Sequence, residues 1–531
     1  MCGIYFRWSD ILDNVTNDET SLDLRGPDNK QVIKFHNYTM SFHRLAINGL
    51  TNGMQPFYNE EKTIYLMCNG EIYNHEDIRS EYKLPARENP SDCHIILDLY
   101  LAGISVQEIT QILDGEFAFV LIDDVEKLVF FARDLFGVKP LYMSSVDDAG
   151  DTTVIELSST IDAMTSDNIT HVEPRYLYCL DIAKQDLSKI RYGRLMSNEL
   201  HSELRVIYHA LEHAVIKRVT HSERPVGFFL SGGLDSSAIL SLALKANVFK
   251  EPPKVFTFGF DENAPDVLSA KIVVEFLRAK YGKDCIDWHL VIQDTSAGLK
   301  ALPDVIKHLG TCDTTTVRAS TPMYLLSKYI SENTDVKVLL TGEGADELFG
   351  GYLYFKFARN KWTYRAEILK LLNELHYYDV LRCDRMTACH GLEVRPPFLD
   401  KELVYHVLMC KELKPAEPNT KFLLRMVLNR NNLLPDVIIN GKKEAFSDAV
   451  SLSWQDQVEI HAKEFVKSHP LTECSNVKDM FPVGATEIYF QHLFSKHVAH
   501  KPWNLCEKLW LPNQSWVKTG REPSARVLDN Y

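Results

Sequence analysis

The sequence lacks the features that would place it in a membrane, on nucleic acid or in a disulfide scaffold. No apolar run approaches the roughly 20 residues that a membrane-crossing helix needs. Basic residues are in deficit: 58 Lys and Arg against 72 Asp and Glu leave a net charge of −14. That balance favours solubility and argues against broad binding to nucleic acid or anionic membranes, though not against a local basic pocket for an anionic substrate. The 11 cysteines are odd in number and scattered, with no C-x-x-C pair. Neither a disulfide framework nor a zinc ribbon is expected, and a reducing, cytoplasmic compartment is. The sequons at Asn14, Asn37, Asn168 and Asn513 then read as chance matches. The opening MCGIYFRWSDILDNV carries Asp10 and Asp13 without a basic n-region, so it does not read as a secretory signal. There is no internal repeat, no low-complexity tract and no G-x-x-x-x-G-K-[ST] loop.

What is present divides into two halves of different periodicity. The 531 residues exceed one ordinary core and predict several domains. Residues 1–180 are dominated by short β-rich runs such as CGIYFRW, TIYLMCNGEIYN and GEFAFVLID, with one helical stretch, DCHIILDLYLAG. FAFVLIDDVEKLVFFARD reads as a hairpin, because a turn-rich stretch separates two β-rich segments. Many strands with few helices predict stacked sheets. From about 200 onward the pattern changes. Leu204, Ile207, Leu211, Ala214 and Val215 share one helical face, and the buried-strand runs PVGFFL, VFTFGF and VKVLLTGEG then alternate with helical segments. That alternation predicts a parallel sheet covered on both faces. The polar stretch at 184–198 is the candidate linker, giving expected domains at 2–185 and 200–531.

SGGLDSS, between a strand and a helix, has the make-up of a phosphate cradle. Gly232 and Gly233 let backbone N–H groups approach an anion, and Ser231, Ser236 and Ser237 add hydroxyls at a helix N-terminus. Asp235 inside the turn would repel phosphate unless a cation lay between them, which predicts Mg²⁺. Alone, such a turn more often merely starts a helix. A second strand-to-loop junction, LLTGEGADELFGGY, gathers Glu343, Asp346 and Glu347 among four glycines. Loops of this kind converge at the carboxyl ends of a doubly wound sheet, so Asp235 and Asp346 are expected to meet around metal-bound pyrophosphate.

SGGLDSS resembles the pyrophosphate-binding motif of ATP pyrophosphatases. Together with DTTTVRASTPMYLLSKYI, LTGEGADELFGGYLYF, DRMTACHGLEVRPPFLDKEL, KKEAFSDAVS and the closing PSAR, it makes almost the whole chain similar to the glutamine-hydrolysing asparagine synthetases. The resemblance implies an α/β multidomain protein: an αββα N-terminal-nucleophile hydrolase domain, then a doubly wound parallel-sheet ATP pyrophosphatase domain. It implies ATP and Mg²⁺ as cofactors, glutamine, aspartate and ATP as substrates, and subunits that often pair as a homodimer. Leu230, Ser231, Gly232, Gly233, Asp235, Ser236, Phe258, Thr341, Gly342 and Lys443 would bind ATP, with metal on Asp235 and Asp346. Thr315, Thr316 and Arg318 would lie near the acid substrate and pyrophosphate. Glu343 would act in adenylate formation or ammonia attack, and a carboxylate there can accept a proton from an incoming amine.

The likeness to N-terminal-nucleophile glutaminases makes Cys2 the nucleophile. Once Met1 is removed, thiol and free amine sit on one residue, and an amine with a pKa of about 8 can act as the base. Asn69 and Gly70 would stabilise the oxyanion. Arg44 suits glutamine's carboxylate and Asp92 its ammonium, while Leu45, Ala46, Ile47, Asn48 and Glu71 complete the implied glutamine site. Arg25 and Asp28 in LRGPD, and Arg133 and Asp134 in ARDLFGVKPLY, read as buried ion pairs shaping loops, with Arg25 near the entrance of the enclosed ammonia passage expected between the domains. The sequence departs from the family at His94, where an acid is usual, at Gly310 and Cys312, which replace Glu and Tyr, at Ala345, which replaces Ser, and at Phe258, which replaces a small aliphatic residue. HALEH, residues 209–213, fits a zinc pattern but has no obvious third ligand and reads as a chance match. The expected activity is synthesis of asparagine from aspartate and glutamine through an aspartyl-adenylate. The alternatives are an amidotransferase acting on another carboxylate or a degenerate, non-catalytic relative.

Overall fold

In the computed structural model the described residues are 1–9, 19–88, 91–147, 153–166, 168–195, 202–413, 420–441, 450, 454–469, 484–498, 505 and 510–517. They form two units: Met1–Leu195 with His221–Pro225 and Ala388–Arg395, and the remainder.

The first unit is built on strands β1 (Gly3–Ser9), β2 (Asn29–Phe35), β3 (Tyr38–Arg44), β4 (Phe57–Tyr58), β5 (Ile64–Ile72), β6 (Gly115–Asp123), β7 (Leu128–Arg133), β8 (Tyr142–Asp147), β9 (Thr153–Ser158), β10 (Ile169–His171), β11 (Tyr176–Asp181) and β12 (Asp186–Arg191). They make two antiparallel sheets, ordered β10-β8-β9-β1-β3-β2 and β12-β11-β7-β6-β5-β4. The predicted hairpin is β6–β7, closed at Asp123↔Leu128. Alternation builds the layers. Ile4 and Phe6 of β1 and Met40 and Phe42 of β3 meet Met67, Val120 and Phe131 of the other sheet in one core. The opposite face of β5 sends Leu66 and Cys68 against Ile95, Ile96 and Leu99 of the helix His94–Leu101. Leu22, on the helix Thr20–Arg25, covers Tyr5 on the outer side of β1. The result is the αββα layering. Two expectations change here: besides the one helix expected, the first unit has the short helices Thr20–Arg25, His75–Glu81 and Val106–Ile112, and part of the segment read as a linker is β12, paired with β11 from Tyr176↔Arg191 to Asp181↔Asp186. Its polarity is that of an edge strand with few buried side chains.

In the second unit, β13 (Val226–Phe229), β14 (Lys254–Gly259), β15 (Asp287–Ile292) and β16 (Val338–Leu340) run parallel in the order β15-β14-β13-β16. The chain moves outward from β13 through β14 to β15, then returns to place β16 on β13's other side. That reversal is the switch point at which doubly wound sheets bind ligands, beyond the carboxyl ends of the strands. SGGLDSS follows β13 and TGEGADE follows β16, so both loops open at this point.

Candidate active sites

In the first unit, β1 begins immediately after Cys2 and lies between β3 and β9, which holds the chain start in the centre of a sheet. The Cys2 backbone N–H donates to Asn69 Oδ1 at 2.9 Å, its thiol lies 3.7 Å from the Leu45 carbonyl, and its own carbonyl accepts from Arg25 Nε at 3.1 Å. With Met1 attached, burial pushes the Cys2 thiol up to about 11 and the terminal amine down to about 5. Asn69 is fully buried on β5, and its Nδ2 has no hydrogen-bond partner among the described residues. A buried donor left open is costly unless something else accepts from it. Next to it, Gly70 has φ +152°, and a Cβ there would lie 2.0 Å from the Glu116 carbonyl oxygen, so only glycine fits.

Arg44, at the end of β3, is held by three carbonyls, those of Asn48 (3.2 Å), Gly49 (2.6 Å) and Leu50 (3.2 Å). Asp28 is exposed and accepts from Ala46 N–H at 2.7 Å, so it shapes the 45–50 loop through the main chain and not as the buried ion pair expected of LRGPD. Asp92 is buried and accepts from Ile72 N–H at 2.5 Å; burial nevertheless raises its carboxyl above the ordinary range. A cation arriving beside it would reverse that shift. Glu71 takes Asn48 Nδ2 at 2.5 Å on one oxygen and Arg395 at 3.1 Å on the other. Glu223 accepts from Gly49 N–H at 2.7 Å, and the His221 carbonyl accepts from both Asn48 and Arg395. Sequence reading missed Arg395, Glu223 and His221. The only signal was the pair of charges flanking Val394 in an otherwise apolar GLEVRPPF. His94 is turned to Asp98 (3.2 Å) and packs on Phe57. In ARDLFGVKPLY the loop is tied through main-chain groups: Arg133 donates to the carbonyls of Gly137, Lys139 and Val172, and Asp134 accepts from the N–H groups of Phe136, Val138 and Lys139.

In the second unit a cavity of about 790 Å³ opens at the switch point. Its walls include Leu230, Ser231, Gly232, Gly233, Asp235, Ser236, Phe258, Thr315, Thr316, Thr341, Gly342, Glu343 and Asp346. Arg318 is not among them. It is buried in the helix Thr314–Asn333, where its carbonyl accepts from Trp454 Nε1 at 3.2 Å. Gly232 has φ +75°, and a Cβ on it would lie 2.2 Å from Ala270 N. The Ser231 and Ser236 hydroxyls lie 3.1 Å apart across the turn. The helix Leu234–Ala246 starts at Gly233 without a side-chain cap, leaving its first N–H groups for an anion. Phe258 is packed edge-on to Phe260, so its bulk forms one edge of the cavity.

Glu343 pairs with Arg382 at 2.7 Å, and Arg382 also holds Asp379 at 2.8 Å. Burial opposes the charge on Arg382, but these carboxylates outweigh it and hold the guanidinium ionised. Asp235 and Asp346 converge on Lys421 Nζ, at 2.5 and 2.8 Å. Lys443 and the closing PSAR lie outside the described residues. Lys421 escaped sequence reading because nothing in NTKFLLR marks it. Two carboxylate oxygens reaching one small cation is the donor chemistry that Mg²⁺ takes. Among the described residues no group of three His, Cys, Asp or Glu side chains is placed for a metal, so a cation here would complete its shell with phosphate and water. Gly310 and Cys312 do not line the cavity; Gly310 caps the helix Thr295–Leu309 in the left-handed conformation, with φ +67°. His209 and His213 are exposed and lie near Glu212 and Glu402 respectively, with no third ligand among the described residues.

Residues 206–373 and 361–517 match the asparagine synthase family, and residues 1–189 match the glutamine amidotransferase domain. The chain is 34% identical over 576 residues to a glutamine-hydrolysing asparagine synthetase of Cricetulus griseus, spanning 100% of this chain and 99% of that protein. It is 33% identical over 575 residues to that of Homo sapiens, with 100% and 99% covered. To glutamine-hydrolysing asparagine synthetase 3 of Arabidopsis thaliana it is 36% identical over 493 residues, covering 89% and 82%. The two loops at the switch point and the buried chain start thus sit on a likeness running end to end, and this chain belongs to the asparagine synthase family, in its glutamine-hydrolysing branch.

Proposed function

We propose that this chain is a ligase that makes asparagine from aspartate, ATP and glutamine. The observation that carries the reading is the single cavity lined at once by SGGLDSS, Thr315, Thr316, Glu343 and Asp346. Groups for phosphate, for an acid substrate and for proton removal share one chamber.

In the first unit, the Cys2 amine freed by loss of Met1 takes the thiol proton, and the thiolate attacks the glutamine side-chain amide. Asn69 Nδ2 and Gly70 N–H stabilise the oxyanion. Arg44 orients the substrate carboxylate and Asp92 its ammonium. The Cys2 amine passes the thiol proton to the amide nitrogen as the C–N bond breaks, ammonia leaves, and water hydrolyses the thioester to glutamate. In the second unit, Ser231, Ser236 and the N–H groups of the glycine turn hold the phosphates of ATP. Asp235 and Asp346 would hold Mg²⁺, which when bound neutralises charge on the departing pyrophosphate. The aspartate side-chain carboxylate attacks the α-phosphorus, pyrophosphate leaves, and ammonia attacks the acyl carbon of the adenylate. Glu343, paired with Arg382 at 2.7 Å, accepts the proton lost by the nitrogen, and AMP departs. All nine cysteines among the described residues are free thiols, which fits a reducing compartment such as the cytoplasm.

The test is an assay with ATP, Mg²⁺, aspartate and glutamine that reads asparagine and pyrophosphate. Aspartate-dependent pyrophosphate is expected; its absence from folded protein would sink the reading.

A further inference from the structure

Lys421 stands where a metal-bound nucleotide would need to be. It is 4% exposed, its ammonium lies 2.5 Å from Asp235 Oδ2 and 2.8 Å from Asp346 Oδ1, and it lines the cavity. The two carboxylates come from different loops, one following β13 and the other β16. Two ionised carboxylates brought to one point repel unless a cation lies between them. Other features shape the contact. Lys421 adopts the left-handed conformation, φ +56°, at the start of the helix Phe422–Arg430, which sends its backbone off the helix path. Gly351 leaves room: a Cβ there would lie 1.8 Å from Asp346 Oδ1 and 2.2 Å from Lys421 Cε. The neighbouring Arg425 is committed to the carbonyls of Thr420 and Ile439.

We infer that Lys421 is a resident counter-ion that assembles the nucleotide site when it is empty and moves onto the phosphates when nucleotide and metal arrive. This rests on the reading of Asp235 and Asp346 as the metal-nucleotide site. Mg²⁺ binds carboxylate oxygens at about 2.0–2.1 Å. An ammonium already within hydrogen-bond distance of both oxygens occupies that position, so the two cations exclude one another. A lysine can give way, because its charge rides on a flexible four-carbon stem. On leaving the carboxylates it needs another anion, and phosphate is the one that arrives with the metal. Lys421 is thus a positioning residue before binding and a phosphate ligand after it. Divalent metal should therefore bind poorly by itself and well only together with nucleotide.

The test is titration of Mn²⁺, followed by its electron paramagnetic resonance signal, into full-length protein with and without ATP. Wild type should bind Mn²⁺ alone at least about tenfold more weakly than with ATP. Lys421→Met should bind Mn²⁺ alone at least about tenfold more tightly than wild type, and adding Asp235→Asn should remove the gain. Lys421→Met binding Mn²⁺ no more tightly than wild type would overturn the inference. So would wild type binding Mn²⁺ equally well without ATP, a result that stands even if the variant does not fold. Asp235→Asn and Asp346→Asn in the wild-type background separate the two readings. If neither weakens Mn²⁺ binding with ATP, the site assignment itself fails. If both do while Lys421→Met shows no gain, only the role of Lys421 fails.

Discussion

Asn69 spends its side-chain oxygen on the backbone N–H of Cys2, at 2.9 Å, and this leaves its nitrogen a buried donor with no acceptor among the described residues. One amide therefore does two things. It anchors the chain start, and it keeps a hydrogen-bond donor in reserve beside the thiol. A donor fixed in place before the reaction stabilises developing negative charge without reorganisation.

Asn69→Ala should lower kcat for glutamine hydrolysis by about 10²–10³-fold, the usual effect of losing one oxyanion donor. Asparagine synthesis from added ammonia should continue, since the groups proposed for it lie in the second unit. Measuring both rates on the same preparation checks this. Equal loss of the two would mean that Asn69 supports the fold rather than the oxyanion.

The thiol of Cys2 should depend on its position at the terminus. With Met1 present, burial pushes it up to about 11, and almost none is thiolate near neutral pH. Protein carrying an uncleaved N-terminal extension should therefore show alkylation of Cys2 by iodoacetamide that rises about tenfold per pH unit up to that value. Protein lacking Met1 should react readily near pH 7 and alone support glutamine-dependent synthesis. Mass spectrometry of the intact N-terminus identifies which form is present.

Local patterns carried much of this architecture, and long-range pairings account for what they missed. The hairpin of β6 and β7 and the strand–turn–helix at SGGLDSS are short segments whose own residues dictate their shape. The carboxylates Asp235 and Asp346 could be expected together because loops at a switch point must converge. Lys421 could not, because its partners are 186 residues away at Asp235 and on a separate loop at Asp346. Arg395 and Glu223 are similar: from far along the chain, Glu223 holds Gly49 N–H and Arg395 holds Glu71, the carboxylate that takes Asn48. Gly310, which stands where the family has Glu, is a helix cap, where a left-handed backbone favours glycine.

Gly232→Ala should abolish nucleotide binding while sparing glutamine hydrolysis. The added Cβ would lie 2.2 Å from Ala270 N and 2.4 Å from the Ser269 carbonyl carbon, in a backbone conformation with φ +75°. Both obstacles are main chain, so the turn must open and lose its alignment with the helix N-terminus. Calorimetric titration with ATP and Mg²⁺ should show no binding, whereas glutamate release stays near the wild-type rate.

Asp400 should make the second unit sensitive to acid. It is buried, pairs with Lys217 at 2.5 Å and Arg218 at 2.8 Å, and caps the helix Lys401–Met409 through the N–H groups of Glu402 and Leu403. Burial opposes its charge, but Arg218 and Lys217 outweigh it and hold the carboxyl at about 2, below the ordinary 3.8. A depressed folded-state value adds stability in full above the ordinary range, which is lost as pH falls from about 4 to about 2. The contribution is about 2 kcal/mol. Asp400→Asn keeps a capping oxygen but removes the carboxylate that Lys217 and Arg218 share, so it should cost about 3–5 kcal/mol near neutral pH. Thermal unfolding of wild type and variant from pH 7 to pH 3 is the measurement. The gap in stability should narrow toward pH 3, and a gap that stays constant would mean that Asp400 acts as a cap alone.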